Sequence, residues 1–390
     1  MPLVALETSV LAQGLPYPRN IEASQRCEAA IRKEGAVPAA MAVIDGVLCC
    51  GLDAQQTERL AQGRGLWKLG SRDLAVAMAR GATGGTTVSA TCEMAAAAGI
   101  LVFSTGGLGG VHRGVAEDLD ISQDLPAIAR WPVAVVCAGA KSVLDLPKTL
   151  EFLETLAVPV IGVGTQQLPG FYSRETGLLL EHSVADAHEA ANVMRARQSL
   201  GQGGLVFAVP PPEATAIARS EIEEHLLAAL AEAKAQGIHG KAMTPFLLGS
   251  MVKRSNGRTL EANLALLENN AVFAGQLARS LSPSPRALSA RGVLDLLARQ
   301  YAVSPIDLSE LRLVGSVLGL VPKELAAKYR CVPVTLHEGR LVIAFVDPAN
   351  SQALAELRRA TGYEEIEPAV ATEPDVAEAL RKYYGVIQGG

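Results

Sequence analysis

Four short, unbroken apolar runs limit what the first two-thirds of this 390-residue chain can fold into. They are Ile100-Leu101-Val102-Phe103, Val133-Ala134-Val135-Val136, Val158 to Val163, and Leu205 to Val209, the last stopped by Pro210-Pro211-Pro212. A strand that lacks polar alternation is covered on both faces, so these runs predict central strands sandwiched between helices. Helical patterns lie around them. One runs from Asn20, a candidate N-cap, through Lys33 to a stop at Gly35. An Ala-rich stretch covers Thr86 to Ala98 before Gly99, and long patterns cover Glu213 to Gln236 and Leu260 to Ser280. The alternation predicts an α/β fold, a three-layer α/β/α domain. Two apolar runs around Asp45-Gly46, between Met41 and Leu52, read as a hairpin, so the central sheet is expected to be mixed.

The pattern breaks at Leu281-Ser282-Pro283-Ser284-Pro285, where each proline disfavours helix in the residue before it. This places a large domain at residues 1–281, a linker at 282–288 and a second domain at 289–390. In the second domain an amphipathic pattern over Val293 to Tyr301 precedes a short helix at Glu324 to Tyr329. Two strand-like runs, Val332 to Leu336 and Leu341 to Phe345, flank a turn at Glu338-Gly339. Ala353 to Ala360 and Asp375 to Tyr383 complete a small C-terminal α+β domain with a short sheet.

Composition excludes several functions. The chain is 49% apolar with a net charge of −5, and the residues after Ser284 carry 12 basic and 13 acidic side chains. Neither part has the basic excess needed to track a nucleic acid or an anionic membrane. No apolar run approaches the roughly 18–20 residues of a membrane span. Met1-Pro2-Leu3-Val4 opens no secretory signal, and the six cysteines show no C-x-x-C. Free thiols in a cytoplasmic protein are the expectation.

Candidate chemistry gathers where strands give way to loops. After Phe103 comes Ser104-Thr105-Gly106-Gly107-Leu108-Gly109-Gly110-Val111-His112-Arg113-Gly114, whose backbone amides could cradle an anion beside His112 and Arg113. A flexible turn is the plainer reading, and a dinucleotide fingerprint is out of register. Asp118, Asp120 and Asp124 could serve a hard divalent cation or merely form a solvated acidic turn. Lys141, in Cys137-Ala138-Gly139-Ala140-Lys141-Ser142, stands at the mouth of a buried strand. It suits either Schiff-base chemistry or a snorkelling lysine. Glu7 lies in the apolar stretch Val4-Ala5-Leu6-Glu7-Thr8, where a carboxylate is costly unless it is paired or works as an acid or base. Lys68 is a candidate phosphate partner, and Asn263 and Asn270 share a helix face as packing amides or substrate readers.

Taken in order, these segments resemble the pseudouridine-5′-phosphate glycosidase (indigoidine synthase A-like) family over about residues 3–280. The resemblance rests on Ala5-Leu6-Glu7-Thr8, Gly14 through Asn20, Ile31 through Ala39, Ser71-Arg72-Asp73-Leu74 and Gly81 through Thr91. It continues through the Gly106–Gly114 loop, Asp120 through Leu125, Cys137 through Ser142, Thr244 through Leu248 and Asn269-Asn270-Ala271. It implies Glu7 as proton donor and Lys141 as covalent nucleophile. Lys68, Val88, Ser122, Gln123 and Asp124 are implied as substrate contacts, with His112, Arg113 and Asn270 as further candidates. Mn²⁺ is implied at Asp120, with Asp124 assisting through water, and the assembly is implied to be a homotrimer. Two features depart from the family pattern: Thr8-Ser9 reverses the usual Ser-Thr order, and Gln123 replaces a small residue.

The implied activity is a reversible lyase or glycosidase reaction of nucleobase metabolism, cleaving pseudouridine 5′-phosphate to uracil and ribose 5-phosphate. Its scissile bond joins two carbons, so a leaving nitrogen cannot be protonated; a lysine imine at C1′ supplies the electron sink instead. A catalytically altered relative serving as an interaction module is one alternative. A lyase for another phosphorylated sugar conjugate is a second.

Residues 295–385 resemble the N-terminal domain of type II secretion ATPases (GspE N-terminal-like, or MshEN). The residues carrying this are Leu320-Val321-Pro322, Ala326 through Tyr329, Val332-Pro333-Val334, Leu341 through Ala344 and Asp347-Pro348-Ala349-Asn350. Some of those relatives bind cyclic di-GMP. Here only the fragment Leu294 to Gln300 of the binding elements is present, so a protein partner is the first expectation and a nucleotide second messenger the alternative. No phosphate-binding G-x-x-x-x-G-K-[ST] loop of the ATPase core occurs.

Overall fold

A computed structural model of the chain describes residues 2–238, 243–282, 290–309 and 311–385. The chain divides into two compact units, Met1–Ser282 and Pro283–Gly390. Residues 283–288 of the expected linker lie outside the described residues.

The first unit is built on a ten-stranded mixed sheet. Its strands are β1 (Leu3–Leu6), β2 (Val37–Ile44), β3 (Val47–Cys50), β4 (Trp67–Leu69), β5 (Gly84–Thr86), β6 (Val102–Ser104), β7 (Ala134–Cys137), β8 (Val160–Val163), β9 (His182–Val184) and β10 (Leu205–Ala208). They lie in the order β4-β5-β2-β1-β6-β7-β10-β8-β9, with β3 paired to β2. All four apolar runs become strands, and β7 and β10 are buried at every residue. From β2 to β9 the pairs are parallel, whereas β3 and β5 both run antiparallel to β2. The hairpin forms as expected, with Asp45 and Gly46 both in the left-handed region.

Helices α1 (Arg19–Lys33), α2 (Ala54–Gln62), α3 (Ser71–Ala79), α4 (Val88–Ala97), α5 (Val115–Asp118) and α6 (Asp124–Arg130) fall in the first half of this unit. The second half adds α7 (Leu146–Thr155), α8 (Ala187–Ser199), α9 (Arg219–Ala235), α10 (Met243–Arg254) and α11 (Arg258–Leu281). The α11 helix crosses β1, β6 and β7 and packs on α1 and α8, while α4 packs on α6 and α3. These two groups form the outer layers of the predicted three-layer domain. Asn20 is not the cap expected of it. It sits one residue inside α1, buried, and its amide donates to the Leu11 and Ala61 carbonyls, tying the helix to the segment after β1.

The second unit holds a four-stranded sheet, β11 (Ser304–Pro305), β12 (Cys331–His337), β13 (Arg340–Phe345) and β14 (Ile366–Val370), in the order β11-β14-β13-β12. Only β12 and β13 pair antiparallel, through the expected turn. Helices α12 (Ala290–Tyr301), α13 (Gly315–Leu318), α14 (Lys323–Tyr329), α15 (Ser351–Thr361) and α16 (Glu373–Tyr384) accompany it. The Asp347-Pro348-Ala349-Asn350 segment is a helix start: the Asp347 carboxylate accepts from the Ala349 amide, and the Asn350 side chain caps α15. Leu294 and Ala298 of α12 are buried with Val370, so the Leu294–Gln300 fragment contributes to the core.

No helix among the described residues is long and apolar enough to cross a membrane. None of the six cysteines is in a disulfide, and Cys27, Cys92, Cys137 and Cys331 are buried. Burial pushes the Cys27, Cys137 and Cys331 thiols up to about 12. It raises Cys92 well above the ordinary range, with the Asp124 and Glu7 charges adding to the effect. Reaction requires the thiolate. Native protein is therefore expected to release two equivalents of thionitrobenzoate from an aromatic disulfide reagent, from Cys49 and Cys50. All six should react in denaturant; more than two fast thiols in the native protein would contradict this packing.

Candidate active site

Strand direction assembles the site. The C-terminal ends of β1, β6 and β7 lie side by side and deliver Glu7, Thr105 and the Cys137–Lys141 segment to one edge of the sheet. Because β5 runs antiparallel to β2, its C-terminal end descends to the point where β1 stops. Thr8 sits at this junction: its hydroxyl donates to the Met41 carbonyl at 2.6 Å and accepts from the Thr86 amide at 3.1 Å. Thr86 also donates to the Met41 carbonyl. Strand β4 runs parallel to β5, so Lys68 arrives at the same edge, opposite Gly85.

Helices α3, α4 and α6 then start from this edge, and their first residues are bonded to one another. The Ser71 amide donates to the Ser89 hydroxyl at 3.3 Å, and the Ser89 amide donates to the Asp124 carboxylate at 3.0 Å. The Arg72 amide donates to the Gln123 side-chain oxygen at 3.3 Å. The arrangement concentrates positive helix ends near Lys68, as anion sites require. Val88 opens α4 and is buried. Ser122 bonds backward: its amide donates to the Gly110 carbonyl, and its hydroxyl accepts from the Asp124 amide.

Asp124 is 5% exposed, and its two carboxylate oxygens take the Ser89 and Gly109 amides at 3.0 and 2.9 Å. It serves as a tie between α4, α6 and the glycine loop. A side chain at Gly109 would collide with it, since a Cβ there would lie 2.6 Å from the Asp124 carboxylate and 2.3 Å from the Ser122 hydroxyl. Gly109 is thus required by close approach.

The glycine loop runs alongside the segment that carries Lys141. Ala138 donates to Gly106, Leu108 to Gly139 and Lys141 to Leu108, all through backbone amides. Gly139 turns this segment with φ +84°, where any Cβ would also meet the Pro169 carbonyl at 2.1 Å. Lys141 is half-buried at the end of this ladder. Strands in a sheet are about 4.8 Å apart, so the ends of β1 and β7, with β6 between them, lie about 10 Å apart.

Glu7 is half-buried, and both its oxygens accept hydrogen bonds, from the Ser9 and Thr105 hydroxyls. It borders a cleft of about 30 Å³ lined also by Asn20, Cys27, Thr105 and Leu267, roughly one water in size. Asn270 is fully buried behind this point; its amide donates to the Thr105 carbonyl at 2.8 Å. Ser9, Ser89 and Thr105 were not singled out by the sequence. The signal available was a hydroxyl residue just beyond a buried strand or at a helix start.

Other candidates are held differently. Arg113 makes a bidentate ion pair with Glu223 of α9 at 2.7 and 3.0 Å, and the Arg113 hydrogen bond holds the Glu223 carboxyl below its usual range. That pair lines a cavity of about 430 Å³ with Ser142, Asp145 and Arg219, separate from the residues around Glu7 and Lys68. His112 Nδ1 lies 3.8 Å from the Asp120 carboxylate, and the His112 amide donates to the Asp120 carbonyl. No group of three His, Cys, Asp or Glu side chains converges among the described residues. One carboxylate and one imidazole fit only a loosely held divalent ion that keeps most of its shell as water.

Residues 1–280 match the family described as indigoidine synthase A like protein. The chain belongs to the indigoidine synthase A-like family. Residues 299–389 match the MshEN domain. A pseudouridine-5′-phosphate glycosidase of Myxococcus xanthus is 67% identical over 279 residues, covering 71% of this chain and 92% of that protein. One from Caldanaerobacter subterraneus is 47% identical, over 72% of this chain and 92% of its own length. Among solved structures, the prealnumycin C-glycosynthase AlnA in complex with ribulose 5-phosphate superposes with a TM-score of 0.67 at 38% identity, covering 72% of this chain and 92% of that one. An indigoidine synthase A-like protein from Thermotoga maritima gives 0.68 at 36% identity, covering 72% and 94%.

The structural role of Asp124 is open to test. Asp124→Ala would strand the buried Ser89 amide and the partly buried Gly109 amide, and is expected to lower unfolding free energy by about 2–4 kcal/mol. Urea denaturation would measure it; a loss below about 0.5 kcal/mol would show that the tie is dispensable.

Proposed function

We propose that this chain cleaves the C-glycosidic bond of pseudouridine 5′-phosphate, giving uracil and ribose 5-phosphate. The names of the 67% and 47% identical relatives support this reaction. The observation that supports it is that the strands leading into Glu7 and the Lys141 segment end on the same side of the sheet, where the joined starts of α3, α4 and α6 also lie.

In this reading the substrate phosphate lies near Lys68 and the amides at those helix starts, among Val88 and residues 122–124. Ribose C1′ then faces Lys141. Glu7 protonates the ring oxygen O4′ as the Lys141 amine bonds to C1′ and the C1′–O4′ bond breaks. The new C1′–N ammonium returns a proton to Glu7. Glu7 then delivers that proton to C5, and the nitrogen lone pair forms the protonated imine as the C1′–C5 bond breaks, its electrons restoring the C5–C6 double bond of uracil. Water hydrolyses the protonated imine, releasing ribose 5-phosphate, the free lysine amine and the proton that returns to Glu7. Mn²⁺, where bound, would be held by Asp120 with His112 nearby and would supply positive charge toward the phosphate. The homotrimer and a protein or nucleotide partner of the second domain remain parts of this proposal, tested by sedimentation and by direct titration.

Uracil release from pseudouridine 5′-phosphate, measured with Mn²⁺ and after chelation, tests the reaction. Lys141→Ala is expected to abolish turnover while leaving the thermal midpoint within about 3 °C, a small shift for a domain of this size. Borohydride with ribose 5-phosphate should trap an adduct at Lys141 and nowhere else; an adduct elsewhere, or full activity in the variant, rejects the mechanism.

Gln123 offers a finer test. Its side chain rests on Gly70, with its nitrogen 1.9 Å from where a Cβ would stand, and it occupies the Arg72 amide. Gln123→Gly should free that amide and lower KM severalfold at unchanged kcat. A raised KM would instead make Gln123 a substrate ligand.

A further inference from the structure

We infer that Ser9, Thr105 and Asn270 form a positioning chain for Glu7, the acid and base of the reaction proposed above, on which reading this inference rests. Glu7 follows the last residue of β1, where no regular hydrogen-bonding pattern fixes its side chain. The terminal torsion of a glutamate is broad, so a carboxylate held through one oxygen turns readily. Here each oxygen has its own donor: Ser9 bonds Oε2 and Thr105 bonds Oε1. A hydroxyl both donates and accepts, so it can stay bonded as the carboxyl gains and loses its proton. An amide N–H or an ammonium cannot do this. Hydroxyl partners on both oxygens therefore suit a group that must exchange protons with O4′, the amine and C5 while keeping one orientation.

The two hydroxyl residues after β1 divide the work. Thr8 faces the junction of β1, β2 and β5 and is buried, whereas Ser9 reaches back to Glu7. The reversed Thr-Ser order keeps a hydroxyl at the position that matters to the carboxylate.

Thr105 needs its own anchor, because it stands where β6 opens into the glycine loop. Its amide donates to the Val136 carbonyl of β7 at 3.0 Å. Its carbonyl accepts from Asn270 Nδ2 at 2.8 Å, and the same amide group reaches the Gly106 carbonyl at 3.4 Å. Asn270 is 0% exposed, and its Oδ1 is buried without a hydrogen-bond partner among the described residues. An apolar side chain would avoid that penalty. What the asparagine supplies instead is a clamp on two carbonyls at the start of the loop, passed to Glu7 through the Thr105 hydroxyl. Asn270 is accordingly a positioning residue and does not touch substrate.

Thr105→Val keeps shape and removes the hydroxyl. It is expected to lower kcat about 30-fold, within the range of general acid–base contributions, with KM for pseudouridine 5′-phosphate changed less than threefold. Thr105→Ser should restore kcat to within threefold of the native enzyme, a rescue that a packing role would not produce. Ser9→Ala should lower kcat about tenfold, and Asn270→Leu should reproduce the Thr105→Val pattern. Equal losses in Thr105→Val and Thr105→Ser, or a raised KM at unchanged kcat, would overturn the proposal. Crystal structures of the native protein and Thr105→Val give a readout that does not depend on activity. The Glu7 carboxylate should be turned or split between orientations in the variant; an unchanged carboxylate overturns the positioning chain, whereas absence of uracil release by the native protein rejects only the reaction.

Discussion

The reversal of strand direction at β2 is the constraint from which the rest of the site follows. In a wholly parallel sheet the ends of β4 and β5 would be reached only by crossovers that keep every C-terminal end on a common line. Here β2 extends past β1, and β5 returns antiparallel along that overhang, so that two sets of strands end against each other. One set brings Glu7, Thr105 and Lys141; the other brings Lys68, Gly70 and Val88. A junction where strands meet end on leaves backbone groups without sheet partners, and each must be paired. Thr8 and Thr86 close the gap at the Met41 carbonyl, and the amides at the starts of α3 and α4 are taken by Ser89, Asp124 and Gln123.

This division assigns different roles to the carboxylates of the region. Asp124 is buried and fully engaged by backbone amides, so it fixes geometry. Glu7 is only partly buried and engaged by hydroxyls, which allow proton exchange. Asp120 is held beside His112 on a segment paired with the glycine loop. Three acidic side chains that look alike in sequence thus sit in different settings: backbone amides at Asp124, hydroxyls at Glu7 and an imidazole beside Asp120.

Much of the architecture was legible in the residues. Unbroken apolar runs predicted the central strands, and Asp45-Gly46 the hairpin, because burial on both faces and left-handed turn geometry each demand particular side chains. The short strands β4, β5 and β9 escaped notice. Three residues carry too little periodicity, and β5 is Gly84-Gly85-Thr86, with almost no side chain to read. Its glycines answer to contacts made elsewhere in the fold. Asn20 was misplaced for a related reason: its amide serves Leu11 and Ala61, partners that only tertiary structure supplies. Glu7 and Lys141 were legible as residues out of character with their apolar surroundings. Ser9 and Thr105 were not, since a hydroxyl after a strand is common and only the distance to Glu7 distinguishes these two.

The glycine loop also has a place in the packing of the domain. Its carbonyls at Gly106, Leu108 and Gly110 accept from Ala138, Lys141 and Ser122. The loop works as a short irregular strand between two site-bearing segments. Small residues let those segments approach closely enough to hydrogen-bond to it. Its first carbonyls are clamped by Asn270 from α11, and its middle amide by Asp124 from α6. Helices from both outer layers therefore hold the one loop that separates Glu7 from Lys141. A shift of either helix would move the Glu7 carboxylate relative to the Lys141 amine, so their spacing depends on packing throughout the domain.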